Sequence, residues 1–260
     1  MIGADAGADY VQALARGLAV IRAFGPERPG MSLSEVAAAT RLTRATARRS
    51  LLTLCQLGYA NQEGRRYSLT ARVLDLGYGY LSSLRLPELA FPLMERLAQK
   101  VQESCSIAVL DGDDITYVQR VSVRRLMAIS LAVGARLPSY ATSMGRVLLA
   151  TLDEPALQAS LARQKLVART AWTLTERKAL GEEIGRVRRR GYALVEQELE
   201  PGLCSVAVPL RGADGRTIAA LNVGMPWRKG IRSELETRVL PALRECALAI
   251  EQVLRQARIR

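Results

Sequence analysis

Hydrophobic residues recur at helical spacing from Tyr10 to Phe24, where Leu14, Leu18 and Ile21 fall at i, i+4 and i+7 and predict one inner face. Gly25-Pro26 and Pro29-Gly30 punctuate the end of that helix. A short second helix is predicted from about Ser32, because Ser32 followed three residues later by Glu35 matches a capping box. After the tight segment Thr40-Arg41-Leu42, a third helix runs from about Thr43 to Leu57 with Ala47, Leu51 and Leu54 as its inner stripe. Its opposite side carries Ala45, Thr46, Arg49 and Thr53, and Gly58 ends it. Residues 59–69 then alternate as two short strands around a turn at Gly64.

A connector follows over residues 71–86, in which Val73, Leu76 and Tyr80 form an apolar seam. Gly77 and Gly79 each weaken its helical preference by about 1 kcal/mol relative to alanine. The seam fits packing onto its own domain as well as it fits pairing with a second copy. From Pro87 the pattern changes: a helix at 88–102, strands near 104–111, 114–121 and 126–132, then helices at 142–151, 153–164 and 175–190. Three more strands near 192–198, 204–211 and 217–224 and a long helix from 233 to 257 complete the chain, with hairpin turns at Gly112-Asp113 and between Gly212 and Gly215. Strands grouped on either side of a helical block predict an α+β domain built on one mainly antiparallel sheet. The expected organisation is a first domain over 9–70, a linker helix over 71–86 and a second domain over 87–257.

Charge gives the N-terminal part its chemistry. The formal net charge is +12, shared between +5 over residues 1–85 and +7 over residues 86–260, so the total alone locates nothing. Locally, Arg41, Arg44, Arg48, Arg49, Arg65 and Arg66 stand against the single acid Glu63 between positions 41 and 66. A short helix, a tight turn, a longer helix with a small and basic outer face, and a hairpin with arginines at its tip together predict a winged helix-turn-helix entering the major groove. Thr43, Arg44, Ala45, Thr46, Arg48, Arg49 and Thr53 are the candidate contacts of the helix. Arginine reads guanine O6 and N7, threonine serves phosphate or base, and Ala45 permits close approach. Arg65 and Arg66 of the wing are expected on backbone phosphates. The alternative is a solvated basic helix beside an ordinary hairpin.

Other chemistries are curtailed. The chain has no histidine, which excludes Ser-His-Asp and Cys-His nucleophilic sites and His-ligated metals. Cys55, Cys105, Cys204 and Cys246 lack paired spacing and read as small buried hydrophobes. No metal or cofactor is expected, and no apolar run approaches the roughly 20 residues of a membrane span, so a cytoplasmic protein is expected.

The segments LARGLAVIRAF (14–24), LSEVAAAT (33–40), RATARRSLLTLCQLGY (44–59) and RRYSLTARVLDLGYGYLSSLRLPELA (65–90) resemble the DNA-binding domain and linker helix of IclR-family transcription regulators. VLDGDDITYVQRV (109–121), VGARLPSYATSMGRVLLA (133–150) and RRRGYALVEQELEPGLCSVAVPL (188–210) resemble that family's effector domain. Within the family the chain looks most like the branch controlling the β-ketoadipate pathway of protocatechuate and 4-hydroxybenzoate breakdown. The resemblance implies a GAF-like sensor for a small organic or aromatic acid, a homodimer (or a dimer of dimers) on a palindromic double-stranded operator, and contact with RNA polymerase if it activates.

The sensor pocket is expected where the Tyr140-Ala141-Thr142-Ser143-Met144-Gly145 loop opens a helix whose first amides suit a carboxylate. The resemblance carries effector contact to Ser143, Met144, Ser205 and Asn222, with Tyr140 reading a second polar group and Arg136 as a candidate for charge neutralisation. A helix cap or a satisfied strand hydroxyl is the plain alternative for each. Two other functions stand beside the regulator: an enzyme on a small organic acid with an appended DNA-binding domain, and an architectural DNA binder that senses nothing.

Overall fold

The structure, a computed structural model of the 260-residue chain, describes residues 9–25, 27–77, 85–123 and 132–259. The chain divides into two compact units, Met1–Ser83 and Leu84–Arg260.

In the first unit α1 (Gln12–Ala23) packs on α2 (Leu33–Thr40) and α3 (Arg44–Gln56). Val20, rather than the expected Leu14 and Leu18, is the residue α1 buries; Leu14 and Leu18 stay 63% and 48% exposed. The helix turns Val20 inward to meet Val36, Ala37, Ala47 and Leu51, so the Leu14–Leu18 edge points away from this unit's core. The Ser32–Glu35 capping box forms as expected: Glu35 N–H donates to Ser32 Oγ at 3.3 Å and Ser32 N–H to Glu35 Oε2 at 2.6 Å. Arg41, at φ +56°, ends α2 in the left-handed region, and Thr43 then caps α3 by accepting from Thr46 N–H at 3.2 Å. Ala47, Leu51 and Leu54 are the buried stripe of α3, and Gly58, at φ +80°, follows its end. The wing strands β2 (Ala60–Glu63) and β3 (Arg66–Leu69) are joined by a third, β1 (Gly30–Ser32), which pairs antiparallel with β3. Three residues between a turn and a helix cap show no alternation, so β1 is invisible in the pattern.

The connector begins as a 3₁₀ turn at Ala71–Leu74, and Leu74 and Leu76 are exposed. Residues 78–84, including Gly79 and Tyr80, the last residue of the expected seam, lie outside the described residues, as does most of the strand expected at 126–132.

The second unit carries a six-stranded sheet, ordered β6-β5-β4-β9-β8-β7, in which every pairing is antiparallel. The strands are β4 (Ser104–Asp111), β5 (Asp114–Val121), β6 (Arg136–Pro138), β7 (Ala193–Glu196), β8 (Leu203–Arg211) and β9 (Thr217–Pro226). One face is large and apolar, with Ile107, Val206, Val208, Leu221 and Val223 buried in the cluster that holds residues of α4 (Leu86–Val101) and the C-terminal helix. That helix is not continuous: Ile231–Glu234 and Leu240–Gln256 are separated by a π-turn at Leu235–Val239. Pro241 has no N–H for the regular ladder, which fits the wider turn just before it.

The opposite face is made of small residues. Ala108, Ala193, Ala207 and Ala220 are buried there, and α5 (Ser143–Leu149) lies directly over them through Met144, Val147 and Leu148. Alanine lets a helix approach a sheet closely, which a row of branched side chains would prevent. Gly145 extends the same logic, since a Cβ there would fall 2.1 Å from the Ser139 carbonyl oxygen. Helices α6 (Glu154–Arg163) and α7 (Arg177–Arg190) complete this side. At the basic end of α7, Arg188 donates to the carbonyls of Ala150 and Leu152 at 2.9 and 2.7 Å.

Arg146 of α5 is 1% exposed and makes a two-pronged ion pair with Glu198, at 2.7 and 2.5 Å, while its Nε donates to the Tyr140 carbonyl at 2.9 Å. Glu198 also accepts from Leu174 N–H at 3.0 Å, and its own carbonyl accepts from Thr173 Oγ1 at 2.7 Å. Removing one partner of such a pair leaves a buried uncompensated charge. Glu198→Gln is therefore expected to cost about 3–5 kcal/mol. Arg146→Met combined with Glu198→Leu is expected to recover much of that loss. Both tryptophans, Trp172 and Trp227, lie in this unit, so urea unfolding followed by their fluorescence reads it; a loss below about 1 kcal/mol for the single variant would show that the pair holds nothing. Gly145→Ala is expected to push the Ser139–Ala141 turn off α5 and to lower the same midpoint.

Candidate DNA-binding surface and effector cavity

The outer side of α3 presents Arg44, Ala45, Arg48, Arg49 and Thr53 to solvent, with Thr46 half-buried at its edge. Among the described residues, Arg44, Arg48, Arg49 and Arg65 make no ion pair and donate no side-chain hydrogen bond, so four guanidinium groups of one unit lack internal partners. The threonines differ from what their spacing suggests. Thr43 caps the helix and donates to Thr46 Oγ1 at 2.9 Å, and Thr53 Oγ1 donates back to the Arg49 carbonyl at 2.9 Å. Both shape the helix before they can serve a ligand. Leu52, 39% exposed on the same outer face, escaped the charge-based reading.

Arg65 sits in the turn of the wing, but Arg66 does not reach out from the tip as expected. Its guanidinium folds back and donates to the Gly30 carbonyl, because β1 runs alongside β3 and offers that oxygen. Arg66 thus ties the wing to the start of α2.

In the second unit a cavity of about 190 Å³ opens between the small-residue face of the sheet, the start of α5 and the β7–β8 connection. An engineered cavity of ~150 Å³ accommodates benzene, so this volume suits a ring with one or two substituents. Ser143, Met144, Ser205 and Asn222 all line it, though they come from one helix and two strands up to 79 positions apart. Ser143 and Ser205 hydroxyls meet at 2.8 Å across the cavity wall. Asn222 is 8% exposed, and its Oδ1 has no hydrogen-bond partner among the described residues. The sheet register explains why the strand residues converge: Ser106 pairs with Asn222, and Ser104 and Ser205 both pair with Gly224.

Two expected contacts stand elsewhere. Tyr140 is buried in a separate cluster, where its hydroxyl donates to the Val167 carbonyl at 2.9 Å and accepts from Val167 N–H at 3.2 Å. That hydroxyl is spent on the backbone and does not line the cavity. Arg136 is paired with Asp111 and Asp114 across the β4–β5 turn, at the surface, so its charge is neutralised there. The turn of α5 is also more occupied than its sequence implies, since Thr142 Oγ1 accepts from Gly145 N–H at 3.2 Å.

The cavity holds residues that the spacing did not reveal, above all Tyr117 and Arg120 of β5, with Ser104 and Ser106 of β4. Tyr117 and Arg120 are three apart and would face opposite sides of a regular strand. A bulge makes the difference: Ile107 pairs with Gln119 but Ala108 with Tyr117, so Val118 is the extra residue and both Tyr117 and Arg120 reach the cavity. The Ser-Cys-Ser-Ile alternation at 104–107 was the available signal for the serines. Burial pushes the Tyr117 phenol up to about 12. Burial likewise raises the Cys105 and Cys204 thiols to about 12 and Cys246 to about 11, consistent with inert core cysteines.

Comparison with known proteins places this geometry. A model of the IclR helix-turn-helix domain matches residues 13–64, and one of the bacterial transcriptional regulator IclR C-terminal domain matches residues 78–252. The Pca regulon regulatory protein of Pseudomonas putida is 46% identical over 90% of this chain and 81% of its own length. The p-hydroxybenzoate hydroxylase transcriptional activator of Acinetobacter baylyi is 36% identical over 92% of this chain and 90% of its own. Among solved structures, an IclR homologue from Microbacterium hydrocarbonoxydans complexed with 4-hydroxybenzoate superposes with a TM-score of 0.82, at 28% identity, covering 94% of this chain and 99% of that one. No helix among the described residues is long and apolar enough to cross a membrane. With a helix-turn-helix unit and an effector-type unit each matched by the corresponding model, the chain belongs to the IclR family of transcription regulators.

Proposed function

We propose that the protein controls aromatic-acid catabolism genes of the β-ketoadipate type, by binding an operator through the first unit and an aromatic acid or its ring-cleavage product in the second. The observation that carries this reading is one chain holding both an exposed helix with unpartnered arginines and a polar-lined cavity sized for a small ring. The names of its relatives support the pathway, and the 4-hydroxybenzoate bound to the Microbacterium homologue supports the ligand class. The functional division is 9–70 for DNA, 71–86 for the linker and 87–257 for the effector. On DNA we assign Arg44, Arg48 and Arg49, with Ala45 and Thr46, to the groove, and Arg65 to phosphate. Thr43 and Thr53 set the helix, and Arg66 positions the wing. In the cavity we assign Ser143, Met144, Ser205 and Asn222 to the effector.

A pair of such chains would meet a palindromic operator with two half-sites one turn or more apart, and an activating complex would also meet RNA polymerase. Ligand acts only through a difference in its affinity for two protein arrangements. We read the chain as a regulator rather than an enzyme, because its relatives are named as transcription regulators and the cavity's hydroxyls, amide and guanidinium suit the binding of a small acid.

Arg49→Ala is expected to weaken specific operator binding by about 1–3 kcal/mol while affecting non-specific DNA less. Fluorescence anisotropy at fixed salt checks it, and equal losses on both DNAs would remove Arg49 from base reading. Ser143→Ala is expected to weaken effector binding roughly 3–10-fold with DNA affinity unchanged. Calorimetric titration that finds the same affinity in the variant would take Ser143 out of the site.

A further inference from the structure

The cavity contains a cation to which none of the preceding assignments gives a role. Arg120 of β5 is half-buried in the wall, and its guanidinium is held in place by neutral groups: Nη1 donates to Ser106 Oγ at 3.1 Å and Nε to Ser122 Oγ at 3.1 Å. Arg146, Arg136, Arg190 and Arg232 each have a carboxylate partner, whereas Arg120 takes part in no ion pair found among the described residues. The other charged group of the wall, Glu103, has interactions of its own. A half-buried guanidinium held only by neutral hydroxyls keeps its charge available to an anion that enters the cavity, where partial burial strengthens the attraction.

Register sets what such an anion would meet next. Arg120 lies directly across from Ser106, and Ser106 from Asn222, so the three form one row over adjacent strands β5, β4 and β9. Arg120 offers donors, while Asn222, two strands away, presents the buried Oδ1 that lacks a partner and can only accept. Ser205 lies beside Asn222 on the neighbouring strand β8, and its hydroxyl is hydrogen-bonded to that of Ser143 at the start of α5. The start of α5, the other place where an anion might dock, belongs to a helix of seven residues whose third amide is satisfied by Thr142.

We propose that Arg120 binds the effector's carboxylate, fixing the ligand with its anionic end on β5 and its neutral hydroxyl or carbonyl end toward Asn222, Ser143 and Ser205. The inference rests on the effector reading above and makes Arg120 the residue that selects acids over neutral analogues.

The test is calorimetric titration of the full-length protein with 4-hydroxybenzoate and 3,4-dihydroxybenzoate, each beside the amide in which –CONH2 replaces the carboxylate. Wild type is expected to prefer acid over amide. Arg120→Gln is expected to weaken the acids about 10–100-fold and the amides less than about 3-fold, so that the preference collapses. Arg120→Lys, which keeps the charge but loses the planar fork, is expected to lose roughly tenfold on the acids and nothing on the amides, and it decides the matter should the glutamine variant misfold. An unchanged acid-to-amide ratio in Arg120→Gln, an unchanged acid affinity in Arg120→Lys, or a collapse seen with Ser143→Ala instead would overturn the assignment. Wild type that binds none of the acids would sink the effector reading itself, a separate outcome from wild type that binds them without using Arg120.

Discussion

The ion pair between Arg146 and Glu198 is the constraint around which the sensor unit is arranged. Four separate pieces of chain meet at it: α5 through Arg146, the Ser139–Ala141 turn through the Tyr140 carbonyl, the β7–β8 connection through Glu198, and the 173–174 segment through Thr173 and Leu174. A pair held by the planar fork of arginine fixes orientation as well as distance. It therefore places the start of α5 relative to the β7–β8 connection, and those two are walls of the cavity. Such a pair contributes little net stability over an apolar substitute, so its value here lies in geometry.

The sheet answers that constraint with its two unequal faces. Branched residues fill the side toward α4 and the C-terminal helix, where area buried drives packing. Alanine, glycine and serine occupy the other side, where α5 must come close and a space must remain. Cavity and close helix packing thus have one origin, the small side chains at alternate positions of β4, β8 and β9. The same positions that deny the core its bulk supply the hydroxyls and the amide that give the cavity its polarity.

In the first unit the logic is reversed, because the functional groups are those left over after folding. The Ala47–Leu51–Leu54 stripe fastens α3 to the core, and the residues on its far side keep their charges unspent. The backbone and its threonines are satisfied internally, which makes the helix a rigid carrier for arginines that await an external anion. Arg66 marks the boundary between the two roles, since an arginine of the wing has been captured by the fold.

Much of this was legible along the chain. The three N-terminal helices, the capping box, the wing, and five of the six described strands of the sensor sheet follow from periodicity, caps and turn residues, because those signals act between neighbours a few positions apart. The convergence of Ser143, Met144, Ser205 and Asn222 followed from resemblance and agrees with where the cavity lies. What local pattern could not decide was partnership at long range. Tyr140 and Arg136 look like ligand contacts until Val167 and the β4–β5 turn claim them, and Leu14 and Leu18 look like core until Val20 takes that place. Arg120 carries no local signal at all, because only the bulge in β5 puts it on the same face as Tyr117. Sequence alone determined which elements form and which residues were available to them; only the tertiary structure decided which polar groups are spent on the fold, because that depends on register and packing between strands and helices far apart in the chain.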